Sequence, residues 1–221
     1  MENKDRYQNH VASPRLVSPA LGIQAPDTPP TLYPAARDYF QSIPWCAALL
    51  SDPSVVSFVP SARNPASDEH EQLVGRTLAD ARTVEHMLCF FTPQDPAHAR
   101  DPARPIASVS SLIALGQGLS SYPGYVHGGM IMVLMDESTG NVLEINAALD
   151  KDGAAFKSSN MTGSLDTKFL RPVPVNTIVC ATAWLEGIEG RKTRINCKIA
   201  DSTGTVLATC TSTWISLKAK V

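Results

Sequence analysis

Residues 128 to 149 form the longest apolar stretch of the chain, interrupted only by the charges of Asp136, Glu137 and Glu144. A run of that length with so few charges predicts a helix buried over most of its circumference. Around it the pattern changes to the period of strands. His86 to Phe91 reads as one strand, and Ile106 to Leu115 as another with a glycine exit at Gly116 and Gly118. Downstream come Leu165 to Leu170, ended by Pro172 and Pro174, then Thr177 to Leu185 and Thr193 to Ala200. In the last of these Thr193, Ile195, Cys197 and Ile199 alternate with Arg194, Asn196 and Lys198, the clean period of two. Gly187 and Gly190 punctuate one connection, and Asp201 to Gly204 turns the chain into a final strand, Thr205 to Leu217. One long apolar helix followed by consecutive antiparallel strands satisfies its burial when the sheet curls around it, so the expected class is α+β.

Upstream of this unit the pattern is weaker. Residues 1–35 hold Pro14, Pro19, Pro26, Pro29, Pro30 and Pro34 with little periodicity, which reads as a flexible tail. Residues 36–85 read as an N-terminal extension bracing the core. Within it Tyr39, Phe40, Ile43 and Trp45 suggest a short helix or ordered arm, followed by a Pro- and Ser-containing stretch over 51–67. Ser67 and Asp68, ahead of Glu69 and Glu71 and of the apolar Leu73, Val74, Leu78 and Ala81, suggest a capped helix. Residues 86–221 form the main domain.

Composition narrows the function. At 221 residues and 43% hydrophobic content the chain can bury one sizeable core. A net charge of -2 without a Lys/Arg block lacks the footprint that nucleic acid or an anionic membrane surface demands, so neither is an expected partner. Five cysteines without a C-x-x-C pair argue against a disulfide framework and a zinc site, and fit a reducing compartment. The polar N-terminus and the shortness of the strictly apolar run Met130 to Met135 support neither secretion nor membrane insertion, so the cytoplasm is the default, with an organelle left open. There is no G-x-S-x-G elbow, P-loop, H-E-x-x-H or dinucleotide fingerprint, and no metal is required.

The chemistry is concentrated between Tyr122 and Glu137. His127, Gly128 and Gly129 stand where the buried helix must begin, and a helix start offers amide N–H groups without intrahelical partners at the positive end of the macrodipole. Such a corner favours a developing oxyanion, and glycine lets a carbonyl approach the backbone unobstructed. Asp136, nine positions after His127, sits in apolar surroundings where a carboxylate is costly unless it has a task, and desolvation would strengthen it as a base. Helical rise puts Gly128 and Asp136 about 12 Å apart. Two groups that must reach one carbonyl cannot easily be that far apart, so the simplest solution is a dimer in which one subunit's Gly128 faces the other's Asp136.

These residues resemble the hotdog-fold thioesterase superfamily, in particular its phenylacetyl-CoA-thioesterase-like (PaaI-like) branch, where an HGG opens the central helix and an acid follows nine residues after the His. The resemblance covers about residues 86–221, including Phe169 to Pro174, which looks like the family's strand exit. It implies a hotdog fold, a curved antiparallel sheet wrapped around a long central helix. It also implies hydrolysis of an acyl-CoA or acyl-carrier thioester to free acid and thiol, a place in lipid metabolism, and a composite site in a homodimer, with a tetramer left open. CoA enters only as part of the substrate, with no other cofactor. Gly128 becomes the oxyanion donor, Asp136 the base or nucleophile, and His127 an orienting group. The family often adds a Ser or Thr beside the acid; Thr162 falls at the matching place, although residues 150–160 are longer than usual. Some branches carry an Asn six residues before the His, where this chain has Ser121, which leaves open how water or substrate is held. Gly129, Ser121, Arg171, Arg191 and Lys192 are the candidate substrate contacts, the three cations toward CoA phosphates.

Structural readings compete at each position. His127 can serve as a helix cap only, Thr162 as strand filler, and loop cations are commonly just solvated. Glu137, about 100° round the helix from Asp136, reads as a solvated or salt-bridged neighbour. Cys180, Cys197 and Cys210 fall on strand positions and read as core. A hydratase or dehydratase, a carrier-linked release enzyme of a biosynthetic pathway, and a non-catalytic acyl-binding protein remain alternative functions.

Overall fold

The computed structural model describes residues 15–65 and 71–217. Its centre is the helix α3 (Gly128–Ala148), against which a seven-stranded antiparallel sheet is laid. The strands are β1 (Val56–Phe58), β2 (Val84–Phe91), β3 (Ser108–Leu115), β6 (Asn160–Phe169), β7 (Thr177–Glu189), β8 (Lys192–Ala200) and β9 (Val206–Ser216), in the spatial order β1-β2-β3-β7-β8-β9-β6. A separate small hairpin, β4 (Ser120–Tyr122) and β5 (Tyr125–Val126), leads into α3. The expected hotdog architecture, α+β with the sheet around the helix, is the one observed.

The core explains the pattern. From α3, Ile131, Leu134, Met135, Val142 and Ile145 are buried against the inward residues Met87, Cys89, Ile113, Val179, Ala181, Ile195 and Cys197. Alternate residues of β2 and β3, namely Leu88, Phe90, Leu112 and Ala114, point the other way into a second cluster with Val17, Phe40, Cys46, Leu50 and Val59. That outer layer is built from α1 (Leu32–Gln41), α2 (Pro44–Leu50) and the segment preceding them. His86 to Phe91 therefore lacks alternation because its strand is covered on both faces.

The N-terminal residues depart from expectation. Residues 15–35 are not a loose tail. Leu16 is fully buried, the Val17 N–H donates to Val59 O and the Val59 N–H to Val17 O, and Asn64 Nδ2 donates to Arg15 O. Proline-rich composition lowered the apparent core content, but two apolar residues in a β-bridge suffice to fasten the segment. The cap expected at Ser67 and Asp68 lies outside the described residues, and downstream of it the chain makes one π-turn, Leu73–Thr77, rather than a helix reaching Ala81. Arg63, 8% exposed, holds that turn by donating to Val74 O, Leu78 O and Glu85 O. β6 begins at Asn160 rather than Leu165.

Candidate active site at the start and middle of the central helix

His127 is the N-cap of α3, with extended backbone (φ -60°, ψ 134°), and its Nδ1 accepts the Gly129 N–H at 2.9 Å. Accepting at Nδ1 leaves Nε2 as the ring nitrogen that can donate outward. The His127 N–H is itself tied to Leu119 O at 2.8 Å, which locks the entry of the helix against the loop before β4. Gly128 is the first helical residue, and among the described residues its N–H donates to no group. Gly129, expected to contact substrate, has its amide committed to His127, so the donor left at this corner is that of Gly128. A Cβ on Gly128 would stand 3.6 Å from the Phe169 ring, in ordinary contact, so the corner is bounded by the end of β6.

Two turns along α3, Asp136 is partly buried, and its Oδ1 accepts the Thr162 hydroxyl at 2.7 Å. The β6–β9 register explains this aim. Thr162 pairs with Trp214 and Ser164 with Thr213, leaving Gly163 as an extra residue in a bulge. A bulge bends the strand and redirects the side chain beside it. Glycine fits here without displacement, whereas a Cβ would come within 2.9 Å of Ile215 Cγ1 and 3.2 Å of Thr213 O and force a neighbour to shift. The sequence match for Thr162 thus coincides with a direct contact to Asp136.

The remaining candidates are dispersed. Ser121 is exposed on β4. Arg171 donates to Val206 O beyond the Phe169 end of β6, whereas Arg191, donating to Ser216 O, and Lys192 lie at the opposite end of the β6–β9 ladder. The structure does not gather the three cations into one phosphate site within a single chain.

Two acids that sequence reasoning passes over belong to the vicinity of Asp136. Glu137 is not a solvated neighbour. Burial, then the charges of Glu71 and Asp136, push its carboxyl up to about 8. Glu144 is raised to about 8 by burial, with smaller contributions from Glu71 and Glu137, against the lowering effect of the Ser61 N–H that its carboxyl accepts at 3.1 Å. Both line a cavity of about 260 Å³ with Ser61, Ala62, Glu71, Asp136, Gly140, Asn141 and Trp214. The spacing 137, 141, 144 is one face of a helix, a signal present in the sequence. What hid it is the extension, whose Ser61, Ala62 and Glu71 roof that face. Trp214 forms the wall, its indole N–H donating to Thr139 Oγ1 and Ser212 Oγ, and a Cβ on Gly140 would lie 3.2 Å from its ring.

Edge strand β6 is exposed along most of its length, with Met161 and Phe169 both 53% exposed and Leu170, just beyond, at 52%. Among the described residues no helix is long and apolar enough to cross a membrane.

Residues 123–208 match the family model described as the thioesterase superfamily. A curated relative, verlamelin biosynthesis protein B of Lecanicillium sp, is 26% identical over 165 residues, covering 65% of this chain and 71% of that protein. Acyl-coenzyme A thioesterase THEM4 of Mus musculus is 33% identical over 89 residues, 40% of this chain. The chain spans only 34% of that protein's length. Among solved structures, the E. coli PaaI protein from the phenylacetic acid degradation operon aligns with a TM-score of 0.43 at 13% identity, covering 50% of this chain and 73% of that one.

Proposed function

We propose that this chain, whose residues 123–208 match the thioesterase superfamily model, hydrolyses an acyl-CoA or a related acyl thioester to free acid and thiol. The observation carrying the proposal is the pairing on one helix of an unpartnered Gly128 N–H at its start with a Thr162-bound carboxylate at Asp136. The Gly128 N–H, aided by the helix dipole, polarises the thioester carbonyl and stabilises the oxyanion that forms as water adds. Thr162 holds Oδ1 of Asp136, which leaves Oδ2 to take the proton of that water. The tetrahedral intermediate collapses with loss of the thiolate, which receives the proton and departs as free thiol. His127 fixes the helix entry and so the direction of the Gly128 N–H.

Within one chain the donor and the acid are about 12 Å apart along the helix. A homodimer supplies both to one carbonyl, Gly128 from one protomer and Asp136 from its partner. Exposed apolar residues on and just beyond β6, Met161, Phe169 and Leu170, support a partner along that edge, because an open apolar edge strand is otherwise an aggregation hazard. CoA as the carrier follows from the activity named for THEM4, while a biosynthetic relative keeps a carrier-protein thioester in the same class.

The test is thiol release from a panel of acyl-CoAs and acyl-carrier analogues. Asp136→Asn is expected to lower turnover at least about a hundredfold while the dimer stays folded. Near-normal hydrolysis by that variant would end the assignment. Appearance of enoyl or hydroxyacyl exchange without free acid would instead identify a hydratase. Under single-turnover conditions, entry of label from isotopically marked water into the Asp136 carboxyl would identify direct attack, through a mixed anhydride opened by water at its Asp136 carbonyl.

A further inference from the structure

The cavity beside Asp136 is lined by groups that an ordinary alkyl chain would leave stranded. Asp136 and Glu144 lie at opposite ends of its helical floor, about 12 Å apart along α3. Between them Glu137 makes no hydrogen bond among the described residues. Asn141 is 3% exposed; its Nδ2 donates to Cys89 Sγ at 3.3 Å, and its Oδ1 accepts from no group among the described residues. Glu144 takes the Ser61 N–H on both oxygens, at 3.1 and 3.3 Å, which leaves the proton of its acid form undirected. Trp214 gives the cavity one apolar wall, and among the described residues no Lys, Arg or His lines it.

Burial is the largest cause holding Glu137 and Glu144 up to about 8, so near neutral pH both are mostly uncharged acids. An uncharged carboxyl both donates and accepts, and the amide oxygen of Asn141 accepts. The complement of such a set is a group that does both in return, a hydroxyl. A hydrocarbon placed there would leave the polar atoms unpaired, which costs binding free energy at each.

We propose that this cavity receives the acyl part of the substrate and that Glu137, Asn141 and Glu144 select a chain carrying a hydroxyl group over an unsubstituted chain of the same length. The inference rests on the thioesterase reading above and adds the substrate class. The selectivity determinants lie on the face of α3 covered by Ser61, Ala62 and Glu71, which fall outside the segment matched by the family model. They therefore belong to this chain's own extension as much as to the shared domain.

The experiment uses the full chain with decanoyl-CoA, its positional hydroxy isomers and an amino analogue, comparing kcat/KM by thiol release. The best hydroxy isomer is expected to exceed decanoyl-CoA by at least about tenfold, in line with one or two buried hydrogen bonds. Glu137→Met and Asn141→Leu should bring that ratio toward one, losing rate on the hydroxyacyl chain and gaining on the plain one. Equal rates on plain and hydroxylated chains in the unaltered protein overturn the inference while the hydrolase reading stands, and a preference for the amino analogue overturns it in favour of a cation. If no ester releases thiol, the hydrolase reading fails instead. Calorimetric binding of the same esters then decides the pocket, with tighter binding of the hydroxy isomer supporting it and equal binding overturning it.

Discussion

Gly128→Pro removes one atom of the proposed machinery, the amide hydrogen, with little else at stake. Gly128 is the first residue of α3, where proline is well tolerated because that N–H has no intrahelical acceptor and the fixed φ suits a helix start. A proline also restricts the residue before it to extended backbone, and His127 already has ψ 134°. A Cβ there would meet only the Phe169 ring, at 3.6 Å, an ordinary packing distance. The fold should therefore survive with a stability change of less than about 1 kcal/mol. Loss of one oxyanion donor elsewhere costs about 3 to 4 kcal/mol of barrier, so kcat should fall by roughly a hundred- to a thousandfold with KM moving much less. Steady-state thiol release and sedimentation on the same preparation measure both. Mixing this variant with Asp136→Asn under subunit exchange should recover roughly a quarter of the unaltered activity, because half the dimers become mixed and each mixed dimer holds one intact composite site. A folded Gly128→Pro dimer within about threefold of the unaltered kcat would refute the oxyanion role, and no recovery on mixing would refute the shared site.

Other perturbations follow from the same geometry. Thr162→Val breaks the 2.7 Å bond to Asp136, and kcat should fall roughly tenfold or more, with Thr162→Ser restoring most of it. Glu144 titrates near 4.5 when unfolded and at about 8 when folded, so the unfolded chain loses its proton first and native stability falls as pH rises between those values. Urea unfolding at fixed protein concentration should show Glu144→Gln gaining on the unaltered chain by up to a few kcal/mol from pH 5 to pH 8, roughly 1.4 kcal/mol per unit at most, and a constant difference would contradict this. Gly140→Ala gains helix propensity of about 1 kcal/mol but brings a Cβ to 3.2 Å from Trp214, so the acyl-chain preference should shift while stability changes little.

Much of this is legible in the chain itself, and particular residues show why the rest is not. The long helix, the strand alternation over Thr193 to Ala200 and the position of His127 depend on local periodicity and helix-start chemistry, which a sequence displays directly. Thr162 is reachable by counting from the proline-rich strand exit. Its contact with Asp136 depends on the Gly163 bulge, which no period reveals. Glu137 is misjudged when the side of α3 away from the sheet is assumed to meet water. Ser61, Ala62 and Glu71 close it off, and long-range cover of that kind leaves no local trace. The same cover accounts for the tail: Leu16 becomes core because the cluster around α3 awaits it, and Val17 because Val59 and the outer face of β2 do.

On the proposed reading, one helix carries two separate tasks. The groups proposed for bond breaking lie at Gly128 and Asp136, and both fall inside the segment matched by the thioesterase superfamily model. The face beside Asp136, at Glu137, Asn141 and Glu144, is completed by an extension that the family match does not include. A change at Ser61, Ala62 or Glu71 can therefore alter what fits beside Asp136 without moving the amide or the carboxylate. The proposed catalytic geometry is held by the helix start, the bulge and the exposed edge of β6, whereas the roof of the cavity is held by Arg63 and the Ser61–Glu144 bond. Asp136 and Trp214 belong to both, since Asp136 lines the cavity and Trp214, its wall, pairs with Thr162, so substitutions at Glu137 or Trp214 are expected to couple to rate, whereas changes at Ser61 or Ala62 should act mainly on selectivity.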